Sequence, residues 1–366
     1  MIHSLAPIHA IFKTTCVVIR YFIITGTFIL VACLSILIAE DVPIPPRARV
    51  VRATDPQAVL LLAPHPQRVH KLLETAILKY ANASDLATAW KRIVLPADRI
   101  GIKIHTEPGP VMATRQIVVE AVIDGLEMAG LKRTQIIIFD RYASQMESAG
   151  YPVGQRADGV TITATVPTVG YDPNAPLDIP IPGKLIWGDL EFKNGISEEE
   201  DQLSTKSHLT RVLTQEIDKM INIAVPVTDL HLGIYGCRLN ASLSLIDNFR
   251  RLQRQSFTRE DSLLQLFSNN IVQKKCVLHI LDGLVAQYAA GPGFDPNYCW
   301  PLQTIYVSHD SIAIDALALQ QINEHRVKAE IAPLKNEASY ISAAANAGLG
   351  VADLSRIDVL DARIDH

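Results

Sequence analysis

Apolar positions along this chain recur with two periods, and the changes between them mark out its elements. From Val69 to Tyr80 the spacing is helical, with Val69, Leu72, Leu73, Ala76 and Ile77 on one face. Arg99–Ile104 (RIGIKI) has the character of a strand. Val118, Val122, Leu126 and Ala129 predict a helix over Thr114–Gly130, with Gly130 as its stop. Gln135–Phe139 (QIIIF) is an unbroken apolar run, as in a strand buried on both faces, and it ends at Asp140-Arg141. Val160–Val166 predicts a further strand. Strand, helix and strand within about forty residues predict a right-handed parallel crossover.

Residues 167–206 are rich in proline, glycine and acids, including Pro180-Ile181-Pro182-Gly183 and the run Glu198–Asp201, and predict a long surface loop. Helix Leu209–Lys219, strand Met220–Val225 and helices near Ser244–Gln253 and Arg259–Phe267 are expected next. Two strand-type runs follow. Val277–Leu281 ends in Asp282-Gly283, and Thr304–Val307 ends in Ser308-His309-Asp310, opening a helix at Ser311. The loop Gly291-Pro292-Gly293 lies between them, and helix Ala338–Ala347 and strand Ile357–Leu360 close the chain. The class is therefore α/β, with a mainly parallel sheet and flanking helices. The expected organisation is an N-terminal hydrophobic segment (1–41), a lead-in or linker (42–84) and one α/β domain (85–366). That domain would comprise two intimate lobes, about 85–180 and 207–366.

The N-terminal segment changes the expected compartment. Lys13 and Arg20 precede Tyr21–Ala39, an apolar run long enough to span roughly 30 Å of hydrocarbon. It stops at Glu40-Asp41 and passes into Val42-Pro43-Ile44-Pro45-Pro46. An uncleaved signal anchor, a signal peptide cut after Ala39 and a lipoprotein signal acylated at Cys33 (Leu30-Val31-Ala32-Cys33) all fit the segment. Each makes the protein membrane-anchored or exported, with its soluble part outside the cytoplasm and the membrane as a partner.

Composition removes several functions. The net charge is −4 and no long basic run exists, which argues against nucleic-acid binding. Arg250, Arg251 and Arg254 cluster, as on a solvated helix face. The five cysteines (Cys16, Cys33, Cys237, Cys276, Cys299) form no CxxC pair, so no Fe–S cluster is expected. No GxGxxG, P-loop or GxSxG pattern occurs, so NAD, ATP and a serine nucleophile are not expected either.

Several short motifs resemble the DUF362 family of bacterial and archaeal proteins. Gly101-Ile102-Lys103-Ile104-His105 lies where that family has an apolar strand ending in Lys-Pro-Asn, and Ala113-Thr114-Arg115 resembles its Thr-His-Pro helix start. Pro226, His231, Gly233, Gly236 and Asn240 fall in place on a central motif. Asp229 and Leu239 stand where the family has lysines, with Arg238 adjacent. Ser308–Asp315 and Ala343–Leu354 resemble its closing motifs, so the likeness spans roughly residues 50–362. It implies an α/β protein of unknown activity, an isomerase or redox enzyme or else a non-catalytic envelope binding or scaffold protein.

Residues at strand ends supply the candidate site. Lys103 and His105 alternate with isoleucines and point to one face. His231 follows an apolar strand and precedes Gly233 and Gly236, which permit close backbone approach. His105 and His231 are the catalytic candidates. Lys103, Asp140, Arg141, Gly233, Gly236, Asn240, Asp282 and Asp310 are candidates for holding a small anionic or metal-associated molecule. Asp310 also suits the cap of the helix at Ser311. His105, His231 and His309 would suit a divalent transition metal if the strand ends converge. In that arrangement Lys103, His105, His231, Asn240 and Asp310 face one cleft.

Overall fold

A computed structural model of the protein describes residues 47–194, 202–254 and 258–364. The run Tyr21–Ala39, Cys16, Cys33 and Glu198–Asp201 lie outside them. No helix among the described residues is long and apolar enough to cross a membrane.

Strand β1 is Ala48–Thr54, followed by helix α1, Pro66–Ala81. The five apolar residues expected on one face of α1 are those it buries. Strand β2 is Ile100–Lys103, helix α2 is Gln116–Met128, and strands β3 and β4 are Ile136–Tyr142 and Thr161–Val166. Strands β5 (Tyr171–Lys184) and β6 (Leu203–Thr210) pair antiparallel. Strand β7 (Lys219–Ala224) precedes a short antiparallel pair, β8 (Val227–Asp229) and β9 (Gly233–Tyr235), and the four-residue helix α3 (Cys237–Asn240). Helix α4 (Arg259–Phe267), strands β10 (Cys276–Gly283) and β11 (Thr304–Ser308), helices α5 (Ser311–Lys328) and α6 (Ser339–Asn346) and strand β12 (Ile357–Arg363) complete the set.

Eight of these strands and Gly154–Gln155 form a nine-stranded sheet in the order β12-β1-β11-β10-β7-β2-β3-β4-(154–155). Strand β11 and Gly154–Gln155 run against the other seven. All four residues of β2 and all five of β11 are buried, as strands covered by helices on both faces require. Helix α1 packs on β1 and β11 and against α2, while α5 packs on the same strands and against α3 and α6.

Within the parallel part, β2, β3 and β4 grow outward in one direction. The chain then returns and sets β7 on the other side of β2. Open α/β sheets bind ligands outside the carboxyl ends of their strands at such a reversal, here at β2 and β7. Lys103 of β2 pairs in register with Asn222 of β7 there.

Five expectations change. The lead-in 42–84 contains β1, an internal strand of the sheet, because its Val50, Val51 and Ala53 bury completely between β11 and β12. The segments 85–180 and 207–366 meet edge to edge in one sheet, at β2 and β7. Residues 171–184 and 203–210 form a long hairpin rather than a loop, and Leu209–Lys219 is no α-helix: β6 ends at Thr210 and a single π-type turn covers Val212–Glu216. The hairpin is stapled by Arg251, which is buried rather than solvated. Its Nη1 donates to the carbonyls of Ile179 (2.8 Å) and Ile181 (2.7 Å), and its Nη2 to Ser207 Oγ (2.8 Å).

Candidate functional site

The carboxyl ends of β2 and β3 bring together two pairs of side chains that differ in how far their hydrogen-bonding capacity is used. Lys103, the last residue of β2, is fully buried. Its Nζ donates to Ile104 O (2.6 Å), Asp140 Oδ1 (2.7 Å) and Asn240 Oδ1 (2.9 Å). An ammonium has three hydrogens, and all three are taken. Asp140, in β3, is equally engaged. Its Oδ1 also accepts the Arg141 amide (2.8 Å), and its Oδ2 accepts the amide (2.8 Å) and hydroxyl (2.7 Å) of Thr106. Burial pushes the Lys103 ammonium below its ordinary pKa against the pull of Asp140. Burial would raise the Asp140 carboxyl, but the Lys103 charge and the Lys103 and Thr106 hydrogen bonds outweigh it and hold it below the usual range.

The polar chain continues across the sheet. Asn240 Nδ2 donates to Asn222 Oδ1 (2.7 Å), and Asn222 Nδ2 meets His279 Nδ1 (3.0 Å). Burial lowers the His279 pKa to about 3, so the ring is neutral and its Nδ1 accepts. Asn222 and His279 sit inside otherwise apolar strands, MINIA and VLHIL. That sequence signal would have disclosed this row.

His105 and Arg141 lie beside the saturated pair and are not satisfied. His105 is buried and stacks on Tyr235 of β9, with ring centroids 4.8 Å apart. Neither of its ring nitrogens has a hydrogen-bond partner. Burial lowers its pKa to about 3, which keeps it neutral. Arg141 lies with its Cζ 3.4 Å from the centre of the Phe249 ring and donates from Nη2 to Leu243 O. Its Nε is buried without an acceptor, and among the described residues no carboxylate forms an ion pair with it. Glu107 faces the same group. Burial raises its carboxyl pKa, and the Arg141 charge opposes that rise. Buried polar atoms without partners are rare in proteins, and here three of them adjoin a buried cation at a sheet's switch point. Tyr235 and Glu107 were not among the expected site residues. An acid two positions beyond His105 in the chain was the available signal for Glu107.

The remaining candidates fall elsewhere. Asp282 is buried at the carboxyl end of β10, where Oδ1 accepts Arg115 Nη1 (2.9 Å) and Oδ2 accepts the Arg115 amide (3.1 Å), fastening the start of α2. Gly233 and Gly236 approach protein rather than open space. A Cβ on Gly233 would lie 2.7 Å from the Ala338 amide, and one on Gly236 2.2 Å from Asp315 Oδ1. Asp315 needs that room to accept the amides of Cys237 (2.6 Å) and Arg238 (2.9 Å) at the head of α3. Burial raises its pKa to about 7. His231 is exposed in the turn between β8 and β9, where its amide bonds Asp229 Oδ1 (2.8 Å).

His309 and Asp310 lie at the other end of the sheet. Strand β11 is antiparallel to β10, so Ser308 pairs with His279, near the start of β10, while Thr304 pairs with Gly283 at its end. Asp310 caps α5 through Ala313 N (3.0 Å), and His309 Nδ1 faces Val277 O (3.3 Å). The five residues expected in one cleft thus divide. Lys103, His105 and Asn240 converge with Asp140 and Arg141, His231 stands on a turn, and Asp310 is at the opposite end of the strands. The histidine set 105, 231 and 309 does not assemble, and among the described residues no group of three or more His, Cys, Asp or Glu side chains is placed to hold a metal ion.

No protein-family model and no curated protein matches the chain. A crystal structure of a protein from Thermotoga maritima is similar over 72% of this chain at 12% identity, with a TM-score of 0.36. The alignment spans 59% of that protein's length.

Proposed function

We propose that the chain is a DUF362-like protein that binds a small anion, of carboxylate type, at the carboxyl ends of β2 and β3. The observation that carries this reading is Arg141, a buried guanidinium with Nε unpartnered and, among the described residues, no ion pair, set beside a buried His105 whose ring nitrogens are both open. Arginine with spare donors suits a carboxylate through paired hydrogen bonds. A neutral imidazole can donate from one nitrogen and accept at the other, and the Glu107 carboxyl, its pKa raised by burial, holds a proton more readily than an exposed one. His105 and Glu107 therefore supply a proton acceptor and donor over one bound ligand, as an isomerisation by proton transfer needs. Lys103 has no free donor, so it positions the site and makes no contact with the ligand. The apolar Tyr21–Ala39 run supports a membrane-anchored or exported location.

A non-catalytic envelope binding protein is the second reading, and the saturated Lys103 favours it, since lysine chemistry is closed to this site. Calorimetric titration with a series of small carboxylates, from acetate to citrate, tests the binding. One of them should bind saturably, and Arg141→Met should abolish that binding. Retained binding in Arg141→Met removes the site. Exchange of the bound ligand's carbon-bound hydrogen with deuterated solvent, lost in His105→Phe, selects the enzyme over the binding protein.

A further inference from the structure

The amino end of β10 and the carboxyl end of β11 border a second cluster, which meets the first at His279. A cavity of about 350 Å³ there is lined by Arg238, His279, His309, Ser311, Gly348 and Gly350. Arg238 is only 8% exposed. One of its nitrogens, Nη2, donates to Phe267 O (2.7 Å), and its Cζ lies 4.6 Å from the centre of the Phe267 ring. Its Nε is buried with no acceptor. The start of α5, an 18-residue helix, borders the same cavity at Ser311. A helix of that length presents partial positive charge at its first turn. Asp310 also lines the cavity, but each of its oxygens is engaged, Oδ1 by Ala313 N (3.0 Å) and Oδ2 by Val351 N (2.9 Å). His309 stands exposed at the rim.

A buried guanidinium with a spare donor, a helix N-terminus and a glycine-bearing loop around one cavity form a cradle for a small tetrahedral oxyanion. From this arrangement we infer that the cavity binds phosphate or the phosphate group of a small monoester. The guanidinium and the helix start contact its oxygens, and His309 closes the rim.

The test uses the full chain and inorganic phosphate, followed by calorimetry and by ¹⁵N resonances of the histidines. Phosphate should bind saturably and shift the His309 signals. Arg238→Gln should weaken binding at least tenfold, and His309→Glu, at an exposed position that leaves folding intact, should weaken it several-fold. Arg141→Met should leave phosphate binding unchanged, which separates this cavity from the carboxylate site. Absence of saturable binding at millimolar phosphate overturns the inference. So does loss of binding in Arg141→Met, or binding untouched by His309→Glu whether or not Arg238→Gln folds. Acetate binding as tightly as phosphate overturns the tetrahedral preference.

Discussion

Lys103 and Asp140 sit one or two residues from His105 and Arg141, on the same two strand ends, yet the two pairs do opposite things. In the first pair every ammonium hydrogen and both carboxylate oxygens have partners. In the second, buried nitrogens have none. Position at a strand end and burial are common to both pairs. What separates fabric from binding capacity is the remainder left after the hydrogen bonds are assigned. A saturated pair fixes geometry, whereas an unsaturated one costs stability that a ligand can restore.

The largest expected effect falls on the saturated pair. Asp140→Ala strands a buried ammonium, and removal of one partner from such a pair typically costs about 3–5 kcal/mol. Urea unfolding should show that loss, and a loss below about 1 kcal/mol would show that the pair is no strut. Arg141→Met removes a cation that, among the described residues, makes no ion pair. The contact with Phe249 limits the expected cost to no more than about 2 kcal/mol. The comparison breaks if this variant is destabilised as much as Asp140→Ala.

Acid should expose the two buried imidazoles. His105 and His279 have their pKa lowered to about 3 by burial. Between that value and the ordinary pKa of about 6.5, the unfolded chain binds protons on these rings that the folded chain does not. Stability therefore falls as pH falls through this window, each ring contributing a slope approaching about 1.4 kcal/mol per pH unit. Asp140, held below the usual carboxylate range, adds its loss only below about pH 4. Asp315, raised to about 7, works in the opposite sense between pH 7 and pH 4, so the net slope is a difference, and His105→Phe, which retains a ring against Tyr235, should lower that slope relative to the parent chain. An unchanged slope would mean that His105 is protonated in the fold. The smallest effect belongs to exposed His231. His231→Ala should alter stability by no more than about 0.5 kcal/mol and leave carboxylate binding intact. A binding defect would return this turn to the site.

The sequence carried the buried face of α1, the strand ending at Asp140-Arg141 and the cap at Asp310, because periodicity and capping are local. It did not carry the direction of β11. A strand, a turn and a helix read alike whether the strand runs with or against its neighbour, and that one reversal moves His309 and Asp310 to the opposite end of the strands. The saturation of the Lys103 ammonium was equally hidden, since its third acceptor, Asn240, arrives from 137 positions away. Proline blurred the hairpin: Pro173, Pro176, Pro180 and Pro182 in β5 read as loop, although its edge position tolerates residues without an amide hydrogen.

Strand β1 has a consequence for how the polypeptide is made. Its neighbours are residues 304–307 and 357–363, more than 240 positions further along, and Arg52 reaches Asp361 across 309. Among the described strands, the first to be made has no sheet neighbour until residues 304–307 have been synthesised. This sheet cannot close from its N-terminus onward, and folding of this type is slow because distant segments must meet first. Helix α1 can pack on β1 early, but the strands that flank Val50, Val51 and Ala53 in the sheet are still to be made at that point.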